Sequence, residues 1–152
     1  MRSFVKSLYL GVATGLLITA TACSTVESPV GTSTTSLYDR LGQKPAITAV
    51  VDEFVGNVAN DNRINGRFAT TDIPRLKGHL VDQVCMATGG PCTYTGRDMV
   101  ETHKGMRISN SDFSALVEDL IAALDTFKVP QAEQKELLGL LGSMKPDIVE
   151  LP

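Results

Sequence analysis

Apolar residues recur at helical spacing along most of this chain, and no period-two run suggests a strand. Ile47, Val50, Val51, Phe54, Val55 and Val58 form one stripe. A second contains Ile73, Leu76, Leu80, Val84 and Ala87. Phe113, Leu116, Val117, Leu120 and Leu124 form a third, and Leu137, Leu138, Leu140, Leu141 and Met144 a fourth. Each predicts an amphipathic helix with one face in a core. The polar residues between them mark the ends. Ser36 and Asp39 have capping-box spacing before a short helix that Gly42 can close. Pro45 suits the first turn of the next helix, and Asn60-Asp61-Asn62 breaks it before a short turn over Ile64 to Phe68. Gly89-Gly90-Pro91 stops the second stripe. Ser109 and Asp112 cap a helix running to about Phe127, and Pro130 opens the last. The domain is therefore expected to be all helical. Between Pro91 and Ser109 lies a long, glycine-bearing, unpatterned stretch that holds His103, Met99 and Met106. Long irregular stretches inside compact domains are often functional.

The first 35 residues follow different rules. Arg2 and Lys6 precede an apolar run from Leu8 to Ala22, too short to span a bilayer comfortably but suited to an export signal. Its end, Ala20-Thr21-Ala22-Cys23, resembles a bacterial lipoprotein processing site. Cleavage there would leave Cys23 as a lipid-bearing N-terminus; an ordinary secretory peptide cut nearby is the alternative. Ser24 is not an aspartate, so the resemblance implies no inner-membrane retention mark. Residues 24–35 are small and polar, with Pro29 and Gly31, and read as a flexible tether. The expected organisation is a signal over 1–22, a tether over 23–35 and one folded domain over 36–152.

Charge narrows the partners. The chain has 14 Lys and Arg against 17 Asp and Glu. Arg2 and Lys6 belong to the signal, so from Cys23 onward the balance is 12 against 17, a net of −5. An acidic domain without a basic cluster argues against nucleic acid. P-loop, dinucleotide, paired-cysteine zinc and His-Glu-x-x-His motifs are missing. With Cys23 lipidated, Cys85 and Cys92 remain as an even pair flanking Gly89-Gly90-Pro91. An oxidising periplasm would favour a disulfide; two buried thiols are the alternative.

There are two histidines, His79 and His103. A lone histidine in a short segment opposite an aliphatic helix has the form of a single axial haem ligand, although a surface or hydrogen-bonded histidine has it too. The surrounding phrases sharpen the reading. Leu37-Tyr38-Asp39-Arg40-Leu41-Gly42, Val51-Asp52-Glu53-Phe54, Asp61 with Arg63-Ile64 and Phe68, Arg75-Leu76-Lys77, Gly89-Gly90-Pro91, Tyr94-Thr95-Gly96-Arg97-Asp98-Met99 and then His103 occur in one order. That order resembles a group I truncated haemoglobin from about Leu37 to Val149. The resemblance implies the shortened globin fold, a two-over-two helical sandwich around non-covalent haem b.

By position, the resemblance makes His103 the proximal iron ligand. Phe68 would stack on the porphyrin, Phe54 would line the pocket and Met99 would pack on the haem face. Met106, Ile108, Phe113 and Val117 would close an apolar sleeve, with Leu76, Leu80 and Val84 on the distal helix. Three positions depart from the family. Val55 stands where a tyrosine commonly hydrogen-bonds bound oxygen, and Leu76 and Leu80 stand where glutamines are common. Such a hydrogen bond is worth roughly 1.5–3 kcal/mol, so oxygen should be held about ten- to a hundredfold less tightly. Gln43 after Gly42 alters a glycine pair, a change expected to be minor. His79 lies at the margin of the Leu76–Leu80–Val84 stripe. It could bind iron, donate to a bound ligand, or meet a haem propionate at the rim. Arg75 and Lys77 are further propionate candidates.

The expected function is reversible binding of oxygen or another diatomic gas by a haem protein lipid-anchored to the bacterial cell envelope and, by its signal, facing the periplasm. Nitric oxide dioxygenation, with an external reductase, is one version. A bis-histidyl electron-transfer or redox-sensing protein is the alternative, and a haem-free helical lipoprotein the second. Covalent haem attachment through Cys-x-x-Cys-His is not supported, since the motif does not occur.

Overall fold

The computed structural model describes residues 35–151. The export segment, Cys23 and the tether up to residue 34 lie outside the described residues. Among the described residues, seven α-helices follow one another: α1 (Leu37–Arg40), α2 (Gln43–Asn60), α3 (Ile73–Ala87), α4 (Met99–His103), α5 (Asn110–Thr126), α6 (Gln131–Gly142) and α7 (Lys145–Ile148). A 3-10 turn over Asn65–Phe68 joins α2 to α3. No named strand occurs among the described residues; an isolated parallel bridge pairs Ser109 with Leu151.

The α2 stripe is the buried face of its helix. On α3, α5 and α6 the predicted positions are mostly half-buried, and the deepest residues are Val81 and Cys85, Ala115 and Ala123 with Leu124, and Gln134 with Leu137. Ile47, Val51, Phe54, Val55 and Val58 of α2 are buried, and α2 packs against both α3 and α5. Val81 and Cys85 of α3 and Ala115 and Ala123 of α5 join the same cluster. Leu124 at 1% exposure and Leu37 and Leu137 form a second cluster between α1, α5 and α6. Truncating Leu124 to alanine should cost about 2–5 kcal/mol, the usual range for a buried leucine. Polar ties fix the angles. Asn57 Nδ2 donates to the Asp119 carbonyl at 3.1 Å, and Arg63 bonds Glu118 at 2.7 Å, both linking the α2 region to α5. Arg40 of α1 pairs with Glu133 and Glu136 of α6.

The helix ends follow their sequence signals. Ser109 and Asp112 complete a capping box at α5. Ser36 accepts from the Asp39 N–H at 3.1 Å, and Asp72 caps α3 ahead of Pro74. After α3, Gly90 N–H donates to Cys85 O at 2.8 Å and Gly89 N–H to Met86 O at 3.2 Å, the paired bonds of a Schellman stop. Gly89 supplies the required left-handed turn at φ +86°. Gly90 is needed for space: a Cβ there would sit 2.5 Å from Tyr38 Cδ2 and 2.7 Å from Cys85 Sγ. Cys85 and Cys92 are joined as a disulfide, with Cα atoms 5.7 Å apart, so the bonded alternative is the one adopted. It ties the end of α3 to the loop leading to α4.

Three expectations need correction. The stretch expected to be irregular contains α4, a single helical turn too short to show a period. The last striped helix ends at Gly142, and Met144 lies in the turn before α7. Gln43 is not a minor change, because it holds a left-handed φ of +63° directly after Gly42 at +91°.

Candidate functional site

The loop into α4 is built by its own side chains. Tyr94 Oη donates to the Arg97 carbonyl at 2.9 Å, curling the ring over the chain. A Cβ on residue 96 would lie 2.3 Å from that phenol oxygen, so glycine is required. Asp98 then starts α4 by accepting from the Glu101 N–H at 2.7 Å. The Tyr94-Thr95-Gly96-Arg97-Asp98-Met99 phrase is therefore a device for placing one helical turn.

His103 closes that turn and is half-buried. Its Nδ1 lies 2.8 Å from the Met99 carbonyl oxygen. A carbonyl only accepts, so Nδ1 donates, and in the neutral imidazole Nε2 then keeps its lone pair. This is the tautomer a metal-binding imidazole needs, oriented from the side away from the metal.

His79 is half-buried on α3. Arg75 Nε approaches its Nε2 at 3.4 Å, a long hydrogen bond, and the ring stands edge-on to Tyr94 with centroids 6.0 Å apart. One turn further along, Gln83 Nε2 lies 3.8 Å from Met99 Sδ and 3.3 Å from Met144 Sδ. Arg75, His79 and Gln83 are spaced four apart and share a helix face. That face looks toward the segment from Tyr94 to His103. The two histidines thus stand on facing elements, with His79 held at the margin of the apolar stripe.

The structure brings five of the expected pocket residues into one cluster. Phe54 and Val55 are buried in the main cluster at 8% and 7%, and half-buried Phe68, Leu80 and Val84 pack against it. Leu76, Met99, Phe113 and Val117 are also half-buried, while Ile108 is 7% exposed. Met106, expected to close the sleeve, is instead 40% exposed, and Val100 on α4 is 55% exposed. Exposed apolar groups three residues before and three after His103 in the chain are of the kind a flat apolar ligand would cover. The side chains of Val55, Leu76 and Leu80 carry no hydrogen-bond donor. Lys77 Nζ is paired with Asp52 at 2.9 Å, and Arg75 reaches His79.

Among the described residues, no group of three His, Cys, Asp or Glu could hold a bare metal ion. One imidazole could hold iron only if most of the other donors came with it, as in a porphyrin. The half-covered apolar walls and the free Nε2 of His103 fit that group.

The bacterial-like globin family profile matches residues 36–150. The chain belongs to the bacterial-like globins. A group 1 truncated haemoglobin from Mycolicibacterium paratuberculosis is 36% identical over 113 residues, covering 74% of this chain and 83% of that relative. One from a Nostoc species is 34% identical over 114 residues, covering 75% of this chain and 97% of the relative. Among solved structures, truncated haemoglobin from Tetrahymena pyriformis in its Fe(III) form superposes with a TM-score of 0.73 at 32% identity, covering 76% of this chain and 98% of that one. The 2/2 haemoglobin of a Synechococcus species, described with covalently attached haem, gives 0.71 at 30%, covering 76% and 98%. This globin thus has the two-over-two helical fold expected from its sequence.

Several residues of the site carried no signal by themselves. Gln83 reads as an ordinary helix position until its contact with Met99 is seen. Arg67 reads as a surface cation, yet it bonds both the Met106 carbonyl at 2.9 Å and Asp112 at 2.7 Å. The Tyr94–Gly96 pair could have been found from the requirement for glycine beside a folded-back ring.

Proposed function

We propose that this globin binds non-covalent haem b through His103 and binds oxygen or another diatomic gas on the opposite side. The observation that carries the reading is the Nδ1 contact of His103 with the Met99 carbonyl, which leaves Nε2 as the ligand atom. When bound, haem supplies the iron at which a gas can coordinate. The chain supplies the rest. Met99 O fixes the imidazole, and the apolar side chains of α2, α3 and α5 exclude water. Phe68 and Phe54 offer flat and buried apolar walls. Arg75 is placed to meet a haem carboxylate at the edge. Both described cysteines are joined to each other, so neither can form a thioether with haem while the disulfide is closed.

Val55, Leu76 and Leu80 present no proton to a bound gas. This favours entry of an apolar ligand but weakens its retention. Nitric oxide detoxification, with a reductase restoring the ferrous state, is the enzymatic form of the proposal. Lipid anchoring through Cys23 to the bacterial cell envelope, facing the periplasm, completes it. The test is oxygen dissociation from the reduced, haem-loaded full chain and its Leu80→Gln variant. The glutamine should slow dissociation about tenfold, the equivalent of one charge-assisted hydrogen bond. An unchanged rate would mean that position 80 does not face the gas.

A second reading has one observation in its favour. The contact between Gln83 and Met99 brings the His79 face of α3 toward α4. If His79 leaves Arg75 and reaches the iron, the protein becomes a bis-histidyl electron carrier or redox sensor. A low-spin ferric spectrum that turns high-spin in His79→Ala would establish it. A high-spin wild-type spectrum would leave His79 at the rim.

A further inference from the structure

The chain leaving His103 takes an unusual path. Lys104 ends α4, Gly105 adopts φ +80° and Arg107 adopts φ +54°. A non-glycine residue in the left-handed region persists where its surroundings over-determine it. Here the surroundings come from the far end of the sequence. Glu150 Oε1 accepts from the Gly105 N–H at 2.7 Å, and Oε2 accepts from the Arg107 N–H at 2.5 Å. The backbone N–H groups of Glu150 and Leu151 both donate to the Ile108 carbonyl, at 2.9 and 3.1 Å. Arg67 holds the Met106 carbonyl from the other side at 2.9 Å, and Met106 N–H returns to the His103 carbonyl at 3.0 Å. Helix α7 packs against α4 and brings Glu150 into range.

Gly105 and Arg107 present their N–H groups to one carboxylate, as a backbone nest does to an anion. A tail needed only as a staple would be served by the backbone bonds to Ile108. The carboxylate adds something separate: it grips the chain two and four residues past His103.

We propose that Glu150 is a positioning residue for His103, fixing the imidazole through the backbone of Gly105 and Arg107. This rests on the haem reading above. A carboxylate 47 positions away in sequence thereby sets the strain on the bond between His103 and the iron, in the way outer groups tune a ligand.

The test uses the full chain loaded with haemin, with Glu150→Ala and the closer-shaped Glu150→Gln. Three quantities are read: amide exchange at Gly105 and Arg107, the rate of haem transfer to excess apomyoglobin, and the iron–histidine stretching frequency of the reduced protein. In Glu150→Ala, exchange and haem loss should each rise about tenfold or more, and the stretching band should shift. Glu150→Gln, which keeps an acceptor oxygen and loses the charge, should fall between the two. Haem loss within about twofold of wild type and an unmoved band would overturn the proposal, even if the loop exchanged faster. So would faster haem loss matched by a uniform rise in exchange along α2, α3 and α5, with the band unmoved, because that marks a structural role alone. A wild-type chain that takes up no haem would remove the haem reading itself, and this proposal with it.

Discussion

His103 Nδ1 and the Met99 carbonyl oxygen lie 2.8 Å apart, one helical turn from each other along α4. The contact decides which nitrogen can bind iron, and it uses the backbone, so no side-chain change at Met99 removes it. His103→Gly should therefore lose haem while keeping the space the imidazole filled. Added imidazole should restore the wild-type absorption bands, because the apolar walls remain. Failure of imidazole to restore them, in a folded variant, would place the ligand elsewhere.

Gln43 carries a cost visible in its backbone. It sits at φ +63°, where a Cβ costs roughly 1–2 kcal/mol relative to glycine. Its side chain recovers part of this by donating to Asp39 at 3.1 Å. Gln43→Gly is expected to raise unfolding stability by about 1 kcal/mol in a denaturant titration. A loss of stability would show that the Asp39 contact outweighs the strain.

The Cys85–Cys92 bridge closes a short loop, with the two residues seven apart. Loop-closure entropy for so small a ring predicts that replacing both with serine lowers stability by about 2–3 kcal/mol. Reduction should act the same way. Cys85 is fully buried, so the serine pair also places a hydroxyl in the core where the bridge now sits. Thermal unfolding with and without a reductant measures this; overlapping curves would contradict it.

Most of the helices were legible because burial imposes a period. The α2 stripe from Ile47 to Val58 is buried almost residue for residue as spaced. Ser109 and Asp112 formed the capping box their spacing announced. What escaped was of two kinds. Helices α4 and α7 span five and four residues, less than two turns, so no period could reveal them. Long-range polar contacts escaped as well: nothing near Glu150 in sequence indicates that its carboxylate meets Gly105, 45 positions earlier. The Cys85–Cys92 spacing allowed both bonded and free thiols, and only the fold chose. His103, by contrast, was singled out as one of two histidines and by the ordered phrases around it, whose resemblance to truncated haemoglobins suggested its role.

Acid should loosen the entrance to α5. The Ser109 hydroxyl, the Ser109 backbone N–H and Arg67 hold the Asp112 carboxyl below the ordinary aspartate range. A depressed pKa in the folded state adds stability at neutral pH, and that stability is lost as pH falls through the folded value. Glu150 is shifted the same way, first by the Gly105 N–H and then by the Arg107 N–H. Wild type should thus exceed Asp112→Asn in stability at pH 7, with the gap closing below the normal aspartate range. A gap that stays constant down to strong acid would contradict the assignment.

Haem retention through His103 can be tested directly. Haemin should be titrated into wild type and His103→Ala, each checked for helix content, and followed by absorption. Wild type is predicted to saturate at one haem per chain with a sharp Soret band that shifts when the reduced protein meets carbon monoxide. The variant is predicted to keep its helices and lose that band. Equal, saturable haem binding by both proteins would contradict the claim.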